Sequence, residues 1–204
     1  MTESASLPLD GVRILAVEQM QAMPFGTQLL ARMGADVVKV EHPTRGESGR
    51  GSLPTIRDED GSEQGSTFLR NNLAKRSIGL DLKNPKGAEL FKTLVPNYDV
   101  VVENFTPGTM ERLGIGYEAL AEIHPGLVYV AVSGFGSLRE TPYGHWPAYA
   151  CVPEAMSGFY SFRPEPGRRP NIGVAGAIGD SGSGLYAMIG LLAALHGRTR
   201  TGRG

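Results

Sequence analysis

The sequence predicts an α/β fold in which a Rossmann-like parallel sheet is flanked by helices. Two observations carry this prediction. Short runs rich in Val and Ile alternate along the chain with segments of helical periodicity, and the first two runs, residues 12–17 and 36–41, enclose one such segment. A strand, a helix of about ten residues and a second strand are typical of a parallel βαβ unit.

The elements follow in order along the chain. The helix between the first two strands is predicted over residues 24–33, because a proline stands in its first turn and Gly34 comes just after its end. Residues 43–66 are polar, rich in glycine and charged in both signs, which predicts a long surface loop.

Regular structure is predicted to resume at residues 77–82. Periodicity is poor between residues 134 and 179, where a short helix is predicted at 154–162 and a basic loop at 163–170. The third and fourth strands of the sheet are predicted at residues 99–103 and 127–133. Helices are predicted at residues 85–94 and 181–196, with two short helices around Met110 and Tyr117.

Composition excludes several classes of protein. The 20 Lys and Arg residues and 21 Asp and Glu residues nearly cancel, so the chain lacks the basic excess of a nucleic-acid or membrane-surface binder. A single cysteine, Cys151, excludes an intramolecular disulfide and a cysteine-rich zinc site. The amino terminus lacks signal-peptide features, and the longest apolar run, residues 185–195, is too short to span a bilayer. We expect a cytoplasmic protein without a metal, a nucleic-acid partner or a membrane partner.

Three segments fall where ligands bind on open α/β sheets, at the carboxyl ends of strands or the start of a helix. They are residues 18–24, residues 103–108 and Asp180. A carboxylate at a helix N-terminus is favoured in its charged form, and it can attack a thioester carbonyl to give a mixed anhydride. On these grounds alone, the simpler explanation is favoured for Asp180 as a helix N-cap and for Gln21 as a solvated loop residue, and Asn104 is explained as a turn residue.

A series of motifs runs through the chain from residue 9 onward. They occupy residues 9–15, 21–24, 30–41, 75–78 with 81–83, 101–105 with 107–108, 112–114, 155–158, 179–180 and 200–204. In order and spacing this series resembles the family III CoA-transferases, the CaiB/BaiF family, which includes formyl-CoA transferase and carnitine CoA-transferase.

The resemblance implies a reaction and a set of site residues. It implies that Asp180 is a nucleophile that forms an acyl anhydride and then an aspartyl-CoA thioester, so that CoA moves from an acyl-CoA to a small carboxylic acid. The cofactor is then coenzyme A, bound as substrate and product. By the same resemblance, Gln21 and Ala22 match positions near the active-site mouth, and Tyr149 matches a position that lines the thioester pocket. The positions that hold CoA in the family match Lys75, Asn104, Phe105 and Arg112.

Two other enzyme classes share features with this chain. The related α-methylacyl-CoA racemases carry a catalytic Gly-His-Asp motif where this chain has residues 148–150, Ala-Tyr-Ala. Loss of that imidazole disfavours racemisation, which needs a base on each side of the α-carbon, unless His145 replaces it. Residues 179–182 also spell the Gly-Asp-Ser-Gly string of chymotrypsin-like proteases, but an apolar helix follows here instead of a β-barrel strand.

Length is the main departure from the family. Its members are about twice as long, and two chains interlock as linked rings. The resemblance therefore implies that residues 1–204 are the amino-terminal part of the large CoA-binding domain, with the carboxyl-terminal half and the small domain absent. We expect a homodimer or a complementary carboxyl-terminal half as the partner. The alternative is an inactive half that only binds CoA or a partner chain.

Overall fold

The computed structural model of the chain describes residues 6–144, 146–161, 167 and 178–204. Its strands are β1 (Arg13–Val17), β2 (Asp36–Glu41), β3 (Thr55–Arg57), β4 (Glu63–Gly65), β5 (Arg76–Gly79), β6 (Val100–Glu103) and β7 (Val128–Ala131). Its α-helices are α1 (Ala22–Arg32), α2 (Ser66–Asn71), α3 (Pro85–Leu94), α4 (Thr109–Arg112), α5 (Tyr117–Ile123), α6 (Cys151–Met156) and α7 (Ile178–Thr201). The basic loop predicted at residues 163–170 lies outside the described residues except at Gly167, as does His145.

Five of the strands form one parallel sheet in the order β5-β2-β1-β6-β7. The chain runs outward from β1 to β5 and then crosses back to β6 on the other side of β1. The carboxyl ends of β1 and β6 therefore form the switch point at which open α/β sheets bind their ligands. The predicted fold class is confirmed.

The central strands are buried on both faces. Ile14 and Ala16 of β1 pack into the layer that contains α1 and α7, while Leu15 and Val17 pack into the layer that contains Phe91 of α3. A strand covered on both faces has no polar side, so it appears in the sequence as a continuous apolar run. This is why apolar runs located β1 and β6 correctly, and why β2 was located by its three valines although the buried Lys39 interrupts them.

Edge strand β5 has no such pattern, and the sequence indicated only an ordered segment there. Three of its four residues are exposed, and only Ile78 is partly buried against the core. An edge strand with one apolar contact carries too few apolar residues to show a period. The parallel pairing of β5 with β2 supplies the fifth strand of the sheet.

The loop predicted over residues 43–66 is wrong in part, because this segment contains the antiparallel hairpin β3–β4 and leads into α2. Arg50 organises the segment. Its Nε lies 2.6 Å from Glu41 Oε2, and its guanidinium carbon lies 3.7 Å from the centroid of the Phe68 ring. Ion pairs and cation–π contacts hold this segment, and neither produces a hydrophobic period in the sequence.

Helix α7 extends beyond its predicted bounds and crosses α1 at very short range. A Cβ atom on Gly184 would lie 2.3 Å from the carbonyl oxygen of Ala22, so only glycine permits this approach. By length and composition α7 would also suit a membrane span. Its close contact with α1 and the ion pair between Arg198 and Asp99 at 2.7 Å make it a packing helix of the α/β layer.

Candidate active site

A cleft of about 840 Å³ opens at the switch point, between the segments after β1, β6 and β7 and the start of α7. Six of the eight residues that the sequence suggested as site residues line it. They are Gln21, Ala22, Asn104, Phe105, Tyr149 and Asp180. Lys75 and Arg112 are not part of the lining. The six lining residues come from four separate segments of the chain, at residues 21–22, 104–105, 149 and 180, which the fold brings together.

Asp180 lies in the first turn of α7 and is half-buried in the wall of the cleft. Burial raises the pKa of its carboxyl above the ordinary value, and the nearby carboxylate of Glu154 raises it further. From the sequence alone, the helix N-terminus is expected to favour the charged form of this carboxyl. The structure shows surroundings that act in the opposite direction, because the cleft wall and a second carboxylate surround the group.

In the loop after β1, the backbone N–H and C=O groups of Gln19 and Met20 are all hydrogen-bonded to side chains. Asn104 accepts from Gln19 N at 2.8 Å and donates to Gln19 O at 2.9 Å. Glu47 accepts from Met20 N at 2.9 Å, and Asn71 donates to Met20 O at 3.2 Å. Met20 has a φ of 61°, an uncommon conformation for a residue other than glycine, and these four bonds stabilise it.

Gln21 connects two sides of the cleft mouth. Its Oε1 accepts from Arg70 Nη2 of α2 at 2.5 Å, and its Nε2 donates to Ser181 Oγ of α7 at 3.4 Å. Arg70, Glu47 and Asn71 were not predicted from the sequence. All three lie between β2 and β5, where no pattern distinguished them from solvated residues.

Lys75 points into the protein beneath this loop. Its Nζ lies 2.6 Å from Glu18 Oε1 and 2.8 Å from Pro24 O, and its side chain is 2% exposed. Burial lowers the pKa of Lys75 to about 8 against the attraction of Glu18. Lys39 Nζ lies 3.7 Å from the same Glu18 oxygen. In this arrangement the ammonium of Lys75 is already paired in the interior and does not face the cleft in which CoA would bind.

Arg112 is exposed at the end of α4, beside the rim of the cleft. Its Nη2 donates to Thr109 Oγ1 at 2.9 Å, and in the described part of the chain it pairs with no carboxylate. Phe105 lies in the lining itself, and its backbone N–H donates to Glu103 Oε2 at 2.7 Å. Tyr149 also lines the cleft with 77% of its surface exposed.

Glu154 of α6 lines the same cleft, although the sequence analysis gave it no role. It is 7% exposed, its Oε1 accepts from Gly179 N at 2.7 Å, and its Oε2 accepts from the hydroxyl of Tyr160. Nothing in the sequence marks it, because its partners lie 6 and 25 residues away along the chain. Among the described residues, no three His, Cys, Asp or Glu side chains lie close enough to hold a metal ion.

The chain is similar to known CoA-transferases. It is 42% identical over 197 residues to the formyl-CoA:oxalate CoA-transferase of Streptomyces avermitilis, and the matched region covers 96% of this chain and 46% of that protein. It is 43% identical over 198 residues to the succinyl-CoA–D-citramalate CoA-transferase of Chloroflexus aurantiacus, with coverage of 97% and 47%. The chain thus spans about half the length of the curated relatives it matches.

Structural similarity agrees. The crystal structure of a CaiB/BaiF family protein from Brucella suis matches with a TM-score of 0.89 and 37% identity, covering 98% of this chain and 52% of that one. The family model described as CoA-transferase family III matches residues 9–204. The chain belongs to CoA-transferase family III.

Proposed function

We propose that the full-length protein moves CoA from an acyl-CoA thioester to a small free carboxylic acid, with Asp180 as the nucleophile. The observation that carries this proposal is the position of Asp180, which lies in the first turn of α7 and faces the cleft at the switch point of the sheet. Family membership supports the class of reaction, and the cleft supports the assignment of the residue.

The reaction needs no reagent beyond the two substrates. The Asp180 carboxylate attacks the thioester carbonyl, and the carbon–sulfur bond breaks to release CoA thiolate and leave an acyl-aspartyl anhydride. The thiolate attacks the aspartyl carbonyl, which frees the first carboxylic acid and leaves an aspartyl-CoA thioester. The acceptor carboxylate then attacks that thioester, and the released thiolate takes the new acyl group from the second anhydride. Asp180 returns as a carboxylate.

The start of α7 suits the charge that develops in these steps. Each attack places negative charge on a carbonyl oxygen, and backbone N–H groups at a helix start have no partners within the helix. The N–H of Gly179 is already bonded to Glu154, so the other N–H groups of the first turn are the candidate donors. Gly182 leaves open space on this turn, where an added Cβ would meet nothing within 4 Å.

We propose that CoA enters along the rim formed by the segments after β1 and β6. Phe105 offers an aromatic face for the adenine or the pantetheine arm, and Arg112 offers a guanidinium for a phosphate. Gln21, Ala22 and Tyr149 then surround the thioester end, while Asn104 holds the loop that carries Gln21. Lys75 supports this loop from below, and a phosphate contact would require it to leave Glu18.

We propose that residues 1–204 form the amino-terminal part of a larger CoA-binding domain in a cytoplasmic enzyme. Helix α7 exposes a row of apolar side chains, with Tyr186 at 79%, Ile189 at 63% and Leu185 at 46% of their surface. Such a row is expected to be covered in the assembled protein. Its cover would be a complementary carboxyl-terminal half or the second chain of a homodimer.

Covalent trapping tests the proposed function. The full-length protein is incubated with an acyl-CoA and then with hydroxylamine, which converts an aspartyl anhydride or thioester to a hydroxamate. Mass spectrometry of the peptide that contains Asp180 should find the hydroxamate only when acyl-CoA was present. Modification of a different residue would contradict the nucleophile. Exchange of the α-proton without CoA transfer would instead favour the racemase alternative.

Replacing Arg112 by Ala should weaken CoA binding by about 1.5–3 kcal/mol, the value of a charge-assisted hydrogen bond to phosphate. The loss should shrink at high salt, because an exposed contact is screened. Calorimetric titration of CoA at two salt concentrations measures both effects. Arg32→Ala is the matched control, since Arg32 is exposed in the last turn of α1. Equal affinities for the two variants would remove Arg112 from the site.

A further inference from the structure

We propose that Glu154 is a positioning residue for the nucleophile: its carboxylate anchors the first turn of α7 and keeps a negative charge beside Asp180. Because Asp180 is the nucleophile only under the proposed function, this role rests on that function. The carboxylate belongs to α6, so the start of one helix is organised by a side chain from another.

The anchor is the bond from Gly179 N–H to Glu154 Oε1 at 2.7 Å. N–H groups in the first turn of a helix have no partner within the helix, and a carboxylate is the acceptor that the helix dipole favours there. The contact is close on the backbone side as well. A Cβ on Gly179 would lie 2.9 Å from the carbonyl oxygen of Ala150, so glycine permits α6 and α7 to meet at this distance.

The second oxygen of Glu154 is also occupied, because it accepts from the Tyr160 hydroxyl. This bond and the one from Gly179 lower the pKa of Glu154, so that the group stays ionised although it is only 7% exposed. The same bond raises the pKa of Tyr160 to about 12, so the phenol remains a donor throughout the neutral range. Cys151 is the other titratable group that acts on Tyr160 among the described residues.

The charge of Glu154 has a consequence for Asp180. Burial is the first cause that raises the pKa of Asp180, and the carboxylate of Glu154 is the second. A carboxylate of higher pKa is more basic and is a better nucleophile while it remains ionised. Glu154 therefore does two separable things: its oxygen holds the backbone N–H of Gly179, the residue before Asp180, and its charge increases the reactivity of the Asp180 carboxylate.

Two substitutions separate these effects. Glu154→Gln keeps an oxygen acceptor for Gly179 N–H and removes the charge, whereas Glu154→Ala removes both. In the full-length protein, kcat is expected to fall by about 10–100-fold in Glu154→Ala, the loss typical of groups that orient a reactive side chain, and by less in Glu154→Gln. Activity in the acid range is lost when Asp180 becomes protonated. Removing the neighbouring charge lowers its pKa, so the acid limb of the kcat/KM profile should move to lower pH in Glu154→Gln.

A second measurement does not depend on CoA transfer. Carbodiimide reacts with protonated carboxyl groups, so the pH dependence of labelling of the Asp180 peptide reports its titration by mass spectrometry. The midpoint should move to lower pH in Glu154→Gln and remain unchanged in Glu118→Gln, an exposed control on α5. A folded Glu154→Gln protein with an unchanged midpoint and an unchanged pH profile would overturn the proposal. If the midpoint moves but the native protein transfers no CoA, the proposed function fails and the coupling of the two carboxylates stands.

Discussion

Replacing Asp180 by Asn is expected to abolish CoA transfer while CoA binding is retained. Asn has the same shape but cannot attack the thioester as a carboxylate, so no anhydride forms. Removal of a catalytic nucleophile usually costs several orders of magnitude in kcat, and we expect a loss of at least about 10⁴-fold. A steady-state assay with an acyl-CoA and a free carboxylic acid, combined with calorimetric titration of CoA, measures both parts of the prediction.

The same variant should not lose stability at neutral pH. The pKa of Asp180 is raised in the folded protein, so the ionised group opposes folding above its ordinary pKa, and a neutral isostere removes that cost. Thermal unfolding of Asp180→Asn should therefore occur at or above the temperature of the native protein. Asp60→Asn is the contrasting variant: the exposed Asp60 carboxylate accepts from Ser62 N at 2.8 Å and this bond lowers its pKa, so a neutral isostere there should bring no gain in stability. Turnover above a few per cent in Asp180→Asn would end the assignment.

Replacing Lys75 by Met is expected to destabilise the fold by about 3 kcal/mol. Loss of Lys75 leaves the buried Glu18 carboxylate without its partner at 2.6 Å, and breaking a buried ion pair usually costs about 3–5 kcal/mol. The lower end of this range applies, because Lys39 remains 3.7 Å from Glu18. Urea unfolding measures the change in the free energy of unfolding.

The neighbouring residue provides a matched control. Arg76 pairs with Asp36 at 2.5 Å, but its side chain is 68% exposed, so Arg76→Met should cost less than about 1 kcal/mol. A second variant, with Glu18→Gln added to Lys75→Met, should recover part of the lost stability because no buried charge is left unpaired. If Lys75→Met instead weakens CoA binding and leaves stability unchanged, Lys75 contacts CoA in the assembled enzyme, as the family resemblance implied.

Most of the sheet and the family of the chain were visible in the sequence alone. Strands β1 and β6 are buried on both faces, and each appears as an apolar run that is visible without any partner. The apolar run of β2 is interrupted by Lys39, which is buried and pairs with Glu18. The order and spacing of the motifs indicated the family, which the comparisons confirmed. These features are local in the chain, because each depends on residues only a few positions apart.

The environment of each side chain depends on contacts made in the folded protein. The pKa of Asp180 is raised first by burial in the cleft wall and then by Glu154, which lies 26 positions earlier in the chain. Lys75 points inward because its ammonium pairs with Glu18, the residue directly after β1. Contacts of this kind join residues that are distant in sequence, and a side chain that pairs in the interior has the same local pattern as one that faces solvent. The local sequence pattern therefore predicts most of the strands, whereas the burial and pairing of individual side chains can be seen only in the assembled sheet and its helices.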